Sequence, residues 1–141
     1  MAIQFPDPNV TATSNDKSVH TKTVRLLFSD FTTGGTVSVK AILPADSSIL
    51  SFRLWNKTVL SGGGITAATL SIGTNGTPTN FVNAVNALGA SGTFAVVTPV
   101  TNIMQAYGLP LGPDISLTFT GTATTGNPTA GEMYVTIEYV R

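Results

Sequence analysis

Short runs of this sequence alternate large apolar residues with Ser, Thr or charged residues. The clearest runs are ISLTFT at 115–120 and MYVTIEYV at 133–140. Because successive side chains of a β-strand point to opposite faces, a period of two is typical of antiparallel strands with one buried and one solvated face. Clusters of Gly, Pro and Asn separate the runs, and together they predict about eight short strands joined by turns.

These strands indicate an all-β protein, an antiparallel two-sheet β-sandwich. A jelly roll is the favoured topology and an Ig-like sandwich is the alternative. The length of 141 residues suits a single domain, which we place at 21–141. Residues 1–20 contain Pro6 and Pro8 but no hydrophobic period, so they predict an extended N-terminal arm. Only 80–89 and 101–108 have apolar spacing that would suit a helical turn or two.

The predicted core takes the apolar residue at alternate positions of these strands. Burying one such side chain stabilises the fold by about 1.5–3 kcal/mol, which is ample for a small core without a disulfide or a metal. The predicted core residues are Leu26, Phe28, Val37, Val39, Leu50, Phe52, Leu54, Leu70, Ile72, Phe94, Val96, Ile115, Leu117, Phe119, Met133, Val135 and Ile137.

Composition excludes several kinds of chemistry. The chain has no cysteine, which excludes a disulfide, a Cys-ligated zinc site and a thiol nucleophile. His20 is the only histidine, and nothing near it supplies a nucleophile elbow for Ser-His-Asp catalysis. Asp46 and Asp114 lie at turns that lack the regular oxygen spacing of a calcium loop. The residues alone therefore indicate no catalytic, cofactor or metal site, although a calcium site at either turn stays open.

The charge content is low and balanced. Charged residues make up 10% of the chain and the formal net charge is zero, whereas roughly 25% is typical of soluble proteins. The sequence contains no cluster of Lys and Arg, so we do not expect nucleic acid as a partner. It contains no apolar run as long as a membrane span and no signal peptide, so we do not expect a membrane partner. A near-neutral surface of Thr, Ser and Gly protects weakly against self-association, which suits faces that partners cover.

The segment LSIGTNGTPTNFV at 70–82 contains a glycine-rich loop. It lacks the lysine and the following helix of a P-loop, so it does not indicate phosphate binding. Asn75-Gly76 is instead a strong turn signal, because both residues tolerate a positive φ. We expect Asn75 at an exposed loop tip, where it would face solvent, a sister subunit or another protein.

A few residues are candidates for an interface. Arg53 and Trp55 share the outward face of one predicted strand, and Tyr134 lies on the polar side of the last strand. Trp, Tyr and Arg are enriched at the energetically important points of interfaces, which favours a subunit contact over a sugar platform, while a plain surface role stays open. Ile3 and Phe5 are apolar residues near the tip of the arm, where they would tether a neighbouring subunit.

Three stretches resemble the small structural proteins of tailed-bacteriophage virions. LPADSSI (43–49) is a turn that leads into a long apolar strand. ATLSIGTNGTPTNFVNAV (68–85) is a strand that ends in Ile-Gly, followed by a polar turn and by an aromatic residue at which the next apolar segment begins. AGEMYVTIEYV (130–140) is the last predicted strand. The resemblance covers about residues 21–141 and points to capsid decoration (cement) proteins, head-fibre bases or tail-associated proteins. It implies a jelly-roll trimer on the capsid, without enzyme activity or cofactor, and it transfers no functional residue.

We therefore expect a non-enzymatic capsid decoration protein that stabilises the phage head. Its partners would be the major capsid protein and further copies of itself in a homotrimer. It would be made in the host bacterial cytoplasm and reside on the capsid surface of the virion. The alternative is a receptor- or carbohydrate-binding module of a head or tail fibre, using Trp55 and the loop tips at 62–64 and Asn75. A hydrolase domain is the third and least favoured reading.

Overall fold

The computed structural model describes residues 18–45, 47–92, 94–97 and 114–140, with 94–97 described for the backbone alone. A short 3₁₀ helix at Phe28–Asp30 joins the first two strands. The strands of the described ranges are β1 (Val19–Leu27), β2 (Phe31–Thr32), β3 (Thr36–Leu43), β4 (Ser48–Ser61), β5 (Ala67–Thr74), β6 (Thr77–Asn86), β7 (Phe94–Val97), β8 (Ile115–Thr124) and β9 (Ala130–Val140). No helix in these parts of the chain is long and apolar enough to cross a membrane.

The strands form two sheets, which confirms the all-β sandwich. Sheet 1 has the order β1-β9-β4-β7 and is antiparallel throughout. Sheet 2 has the order β2-β8-β5-β6, and β3 also pairs with β8, on the side away from β5. The two-residue strand β2 is the one parallel partner among the described strands.

A single core fills the space between the sheets. The rings of Phe52 on β4 and Phe81 on β6 lie 6.3 Å apart across the two layers. Period-two alternation correctly identifies most of the core, because successive side chains of a paired strand point to opposite faces of the sheet. The predicted core residues that are buried are Leu26, Phe52, Leu54, Leu70, Ile72, Ile115, Leu117, Phe119, Met133, Val135 and Ile137.

A β-bulge makes the core prediction wrong at Val37 and Val39, each of which is 57% exposed. The pairing of β3 with β8 skips a residue, from Val39 opposite Thr118 to Ala41 opposite Leu117. Because the side-chain period is two, an extra residue moves every side chain before the bulge to the other face. Ala41 therefore faces the core, whereas the two valines face outward.

Leu50 and Phe28 are also wrongly predicted as core residues. A register shift on β4 buries Ile49 and leaves Leu50 exposed. Phe28 lies in the 3₁₀ helix rather than in β1, and Phe31 is the aromatic residue that is buried there. Both errors arise where the backbone departs from a regular strand, so that simple alternation no longer tells which side chain faces inward.

The predicted helical turn at 80–89 is wrong, because residues 77–86 form β6. β6 pairs with β5 through Leu70 opposite Val85 and Ile72 opposite Val82. The apolar residues of β6 that pack on the core happen also to have the spacing of a helix face, which is why the sequence favoured a helical turn. The second predicted helical turn, at 101–108, lies outside the described residues. For Phe94 and Val96 the structure describes the strand β7 but no side chain.

Most of the predicted arm, residues 1–17 with Ile3 and Phe5, lies outside the described residues. Its last two residues, Val19 and His20, begin β1. His20 stacks on Tyr139 of β9 with ring centroids 5.4 Å apart. The single histidine therefore has a packing partner at the start of the sheet.

The β5–β6 turn lies where the sequence predicts it. Asn75 and Gly76 form a two-residue turn between Thr74 and Thr77, whose hydroxyl oxygens lie 2.8 Å apart. Neither Asn75 nor Gly76 has a positive φ, so the turn does not use the conformation that makes this dipeptide favourable. The glycine that the hairpin requires is Gly73, where a Cβ would run into the backbone of Thr77 and Pro78.

Candidate interaction surface

The register between β1, β9 and β4 assembles the outer face of sheet 1. Trp55 on β4 lies opposite Tyr134 on β9, which lies opposite Arg25 on β1. In the next outward row, Arg53 lies opposite Thr136. Directly opposed residues on the same face are close enough to interact, so this face is a continuous array of side chains. We call it the charged face: Thr21, Thr23, Arg25, Ser51, Arg53, Trp55, Lys57, Glu132, Tyr134, Thr136 and Glu138.

The aromatic centre of the charged face is a stacked pair. The Trp55 and Tyr134 rings lie 5.6 Å apart at an interplanar angle of 25°. Such a pair adds about 0.5–1.5 kcal/mol beyond the burial of its area. Trp55 nevertheless stays 41% exposed, so the pair presents a rigid apolar patch to whatever approaches this face.

Glu132 organises the charges beside that pair. Its Oε1 accepts hydrogen bonds from Arg25 Nε at 2.6 Å and from the Tyr134 hydroxyl at 2.7 Å. Lys57 Nζ lies 3.6 Å from the other carboxylate oxygen. The hydrogen bond from Arg25, followed by that from Tyr134, lowers the pKa of Glu132 to about 2. The same hydrogen bond from Arg25 raises the pKa of its own guanidinium. Glu132 is therefore a fixed, ionised acceptor at neutral pH.

A second carboxylate is held in a similar way at the other end of the face. Glu138 Oε1 lies 2.6 Å from Arg53 Nε, and its Oε2 accepts a hydrogen bond from the Ser51 hydroxyl at 3.0 Å. No group of three or more His, Cys, Asp or Glu side chains in the described part of the chain is placed to hold a metal ion. Both carboxylates of the charged face are therefore engaged by neighbouring donors.

The outer face of sheet 2 has the opposite character. β2, β5, β6 and β8 contain no charged residue, and β3 contains Lys40 alone, whose ammonium lies 3.0 Å from the Asp30 carboxylate. The outward residues of β8 and β5 are mostly Ser and Thr, and those of β3 are aliphatic. We call the outward side of this sheet the neutral face: Val37, Val39, Ile42, Thr69, Ser71, Gly73, Ser116, Thr118, Thr120 and Thr122. Gly73 and Thr118 of this set are buried.

The structure brings together three of the predicted interface residues, Arg53, Trp55 and Tyr134, on one face. Asn75 is exposed, as expected, but it lies at the β5–β6 turn of the other sheet. Ile3 and Phe5 lie outside the described residues. The role of these residues in an interface stays a prediction.

Sequence reasoning missed Arg25, Glu132 and Lys57 as parts of the charged face. The alternation in β1 places Arg25 on the polar side of its strand, and Glu132 and Tyr134 share a face because they are two residues apart. Both signals are present in the sequence and place these side chains on outward faces. Nothing local, however, indicates that β9 lies between β1 and β4, and that placement is what brings the charges together.

Comparison with known proteins shows the fold alone. No protein-family model matches the chain, and none of the curated proteins does. A chain of the cyanophage Pam1 capsid asymmetric unit is similar with a TM-score of 0.63 at 18% identity, over 99% of this chain and 93% of that one. A chain of the Ralstonia phage GP4 capsid has a TM-score of 0.53 at 15% identity, over 99% and 91%. A chain of the acid-stable capsid of Helicobacter pylori bacteriophage KHP30 has a TM-score of 0.51 at 11% identity, over 89% and 93%. The sandwich is therefore a fold that chains of three bacteriophage capsid structures share.

Proposed function

We propose that this chain is a non-enzymatic structural protein of a bacteriophage virion, a decoration or cement protein of the capsid. The observation that carries the proposal is the similarity of fold to chains from three phage capsids, which extends over about nine tenths or more of each chain compared. The protein would be made in the bacterial host and reside on the outer surface of the virion head.

The proposal includes a jelly-roll topology, which the strand order supports. The chain passes from β1 of sheet 1 to β3 of sheet 2 and back to β4 of sheet 1. It then forms β5 and β6 of sheet 2, β7 of sheet 1 and β8 of sheet 2, before β9 takes its place between β1 and β4. Among the described strands, β5 and β6 are the only consecutive ones that pair with each other. Two sheets built from strands that are distant in sequence suit the paired Greek keys of a jelly roll better than the Ig-like alternative.

We assign the contact with the major capsid protein to the charged face. Trp55 and Tyr134 form a rigid aromatic patch, and Arg53 is held beside it by Glu138. Preorganised Trp, Tyr and Arg side chains lose little freedom when a partner covers them, which favours binding. Further copies would complete a homotrimer. Ile3 and Phe5 would tether a neighbouring subunit, and Asn75 would lie at a subunit boundary.

The decisive experiment uses virions that carry this protein. The protein should be present in them at a stoichiometry that matches the threefold positions of the shell. Virions that lack it should release DNA at a lower temperature than intact ones. Absence of the protein from purified virions, or heads of unchanged thermal stability without it, would contradict the proposal.

A matched pair of variants tests the contact face. Trp55→Ala should lower the occupancy of virions at least about tenfold, because loss of an aromatic hot spot weakens binding by ~2 kcal/mol or more. Asn83→Ala, at an exposed position of β6, is the control and should bind as the wild type does. Equal occupancy by both variants would place the shell contact elsewhere.

A carbohydrate-binding role in a head or tail fibre is the second candidate. The exposed Trp55 beside Arg53 is the observation that favours it, since aromatic faces stack on sugars. Tyr134 already stacks on the Trp55 ring, however, which leaves less of that ring for a sugar. A glycan array read with wild type and Trp55→Ala distinguishes the roles, because signals that depend on Trp55 support a sugar site and a flat array rules it out.

A further inference from the structure

The tip of the β5–β6 hairpin contains the one Asn-Gly pair of the sequence, Asn75-Gly76. Both residues are exposed, and together they form the two-residue turn between Thr74 and Thr77. No atom of the described residues lies within 4 Å of the position that a Cβ of Gly76 would take. The main chain of the turn therefore has open space around it, and the Asn75 side chain has room to approach the amide that follows it.

We propose that Asn75 is a site of spontaneous deamidation in the folded protein, and that it converts before the other asparagines of the described residues. The reaction needs only water, and the inference does not depend on the proposed function. A covalent change of this kind adds a charge and alters the main chain, so it changes the physical properties of the hairpin.

The chemistry uses the side chain of Asn75 and the main-chain nitrogen of Gly76. That nitrogen attacks Cγ of Asn75, and a new C–N bond forms as the nitrogen loses its proton. The bond from Cγ to Nδ2 breaks and ammonia leaves, so that a five-membered cyclic imide remains. Water then opens the imide at either of its two carbonyl groups. Position 75 ends as an aspartyl residue or as an isoaspartyl residue, in which the main chain runs through Cγ.

Glycine at position 76 favours the attack. The nitrogen of Gly76 must swing towards the side chain of Asn75, which requires rotation of the main chain between the two residues. A Cβ on the second residue would restrict that rotation and crowd the imide as it forms, whereas glycine does neither. The open space around Gly76 leaves the rotation unopposed by the rest of the protein.

Two exposed asparagines of β6 are protected because the nitrogen that would attack is already engaged. The amide that follows Asn83 donates a hydrogen bond to Ser71 Oγ at 2.9 Å. The amide that follows Asn86 donates to the Ala68 carbonyl oxygen at 2.9 Å. Asn86 Oδ1 itself accepts a hydrogen bond from the Leu88 N–H at 2.9 Å. Each of these bonds must break before the reaction can begin, which raises its barrier.

The other described asparagines are protected in different ways. Asn127 precedes a proline, which has no N–H proton to lose, and its Oδ1 accepts a hydrogen bond from the Thr33 N–H at 2.9 Å. Asn56 is buried in β4. Asn80 precedes the buried Phe81 inside β6. The surroundings of Asn75 thus oppose the reaction least.

The products would change the hairpin in two ways. Each of them adds a carboxylate to two strands that contain no charged residue, and shifts the formal net charge of the protein from zero to minus one. The isoaspartyl product also adds one carbon to the main chain of a two-residue turn. The Thr77 carbonyl oxygen packs over Gly73, so a longer turn must disturb that close contact. We expect the isoaspartyl form to be less stable than the aspartyl form.

Peptide mapping by mass spectrometry tests the site. The purified protein would be incubated for several weeks in a mildly alkaline buffer. Exchange of an amide NH2 for OH raises the mass of the peptide concerned by one unit, and the isoaspartyl form separates by chromatography. We expect Asn75 to convert at least about tenfold faster than Asn83 or Asn86, because the amides after those residues must first give up a hydrogen bond. Equal rates at Asn75 and Asn83 would overturn the inference.

Gly76→Ala is the matched control, because it keeps Asn75 exposed and adds a Cβ where there is space. It should slow the conversion of Asn75 at least about fivefold, since alanine has less main-chain freedom than glycine. The chain unfolded in urea gives the reference rate, and the folded protein should convert within about tenfold of it. A Gly76→Ala variant that converts as fast as the wild type, or an Asn75 that stays intact in the folded protein while it converts in urea, would contradict the proposal.

Thermal unfolding of the separated products tests the effect on the hairpin. Asn75→Asp supplies the aspartyl product directly and should have the Tm of the wild type, because the length of the main chain is unchanged. The isoaspartyl fraction should have a lower Tm than Asn75→Asp. Equal Tm values for these two forms would show that the longer turn does not disturb the contact over Gly73, and that part of the inference would be wrong.

Discussion

Replacing Gly73 by Ala tests the close approach in the β5–β6 hairpin. Gly73 is buried, and a Cβ there would lie 2.7 Å from the Pro78 carbonyl oxygen and nearer still to the Thr77 carbonyl oxygen. These are backbone atoms, which cannot rotate away as the end of a side chain can. The exit of the hairpin must therefore move by about 1 Å to restore ordinary van der Waals distances.

The size of the effect follows from two opposing terms. Overpacking of this kind costs about 1–3 kcal/mol, and a clash with backbone belongs in the upper half of that range. Reduced freedom of the unfolded chain offsets about 0.4–1 kcal/mol of it. We expect Gly73→Ala to lower the free energy of unfolding by about 2 kcal/mol, which lowers Tm by roughly 8 °C for a domain of this size.

Gly76→Ala is the matched control in the same hairpin. Nothing lies within 4 Å of a Cβ at Gly76, which is exposed and has no positive φ. This variant should be as stable as the wild type or more stable by about 0.5 kcal/mol. Urea and thermal unfolding by circular dichroism would measure both. Two variants with equal stability would refute the argument that the hairpin packs tightly over Gly73.

Three further substitutions have defined outcomes. The lowered pKa of Glu132 means that its ionised form stabilises the fold fully above pH about 4.5 and progressively less as pH falls towards about 2. The Tm difference between wild type and Glu132→Gln should therefore shrink over that interval in thermal scans. Phe52→Ala, which removes a fully buried ring, should cost about 3–5 kcal/mol in urea unfolding. Asp30→Ala removes a hydrogen bond from the Leu27 N–H at 2.8 Å and should cost about 1–2 kcal/mol, with a smaller loss for Asp30→Asn, since the amide oxygen still accepts.

The regular strands could be predicted from the sequence because local alternation and global pairing agree in them. The inward residues of β8 and β9 follow directly from their period of two. In β3 this reasoning fails, because a bulge after Val39 exchanges the inward and outward positions of the side chains before it. No residue type in the sequence indicates that bulge. β6 shows another limit, since its apolar spacing also fits a helix and only pairing with β5 decides.

The candidate surface could be predicted in part for the same reason. Arg53 and Trp55 lie two residues apart on one strand, so their shared face is a local property. Their contact with Tyr134 and Glu138 depends on the register of β4 with β9, which joins residues about 80 positions apart in the chain. The outward position of Val37 and Val39 was missed, because alternation assigned both residues to the core.

The central position of β9 has a consequence for how the protein is made. β9 lies between β1 and β4, so sheet 1 cannot close until residues 130–140 have been synthesised. Until then Leu26, Phe52 and Leu54 have no β9 partner on which to pack. Chains with such non-local pairing fold in milliseconds to seconds and expose apolar surface in the meantime. A chain that lacks β9 therefore leaves these apolar faces uncovered, and truncation before residue 130 should make it prone to aggregation.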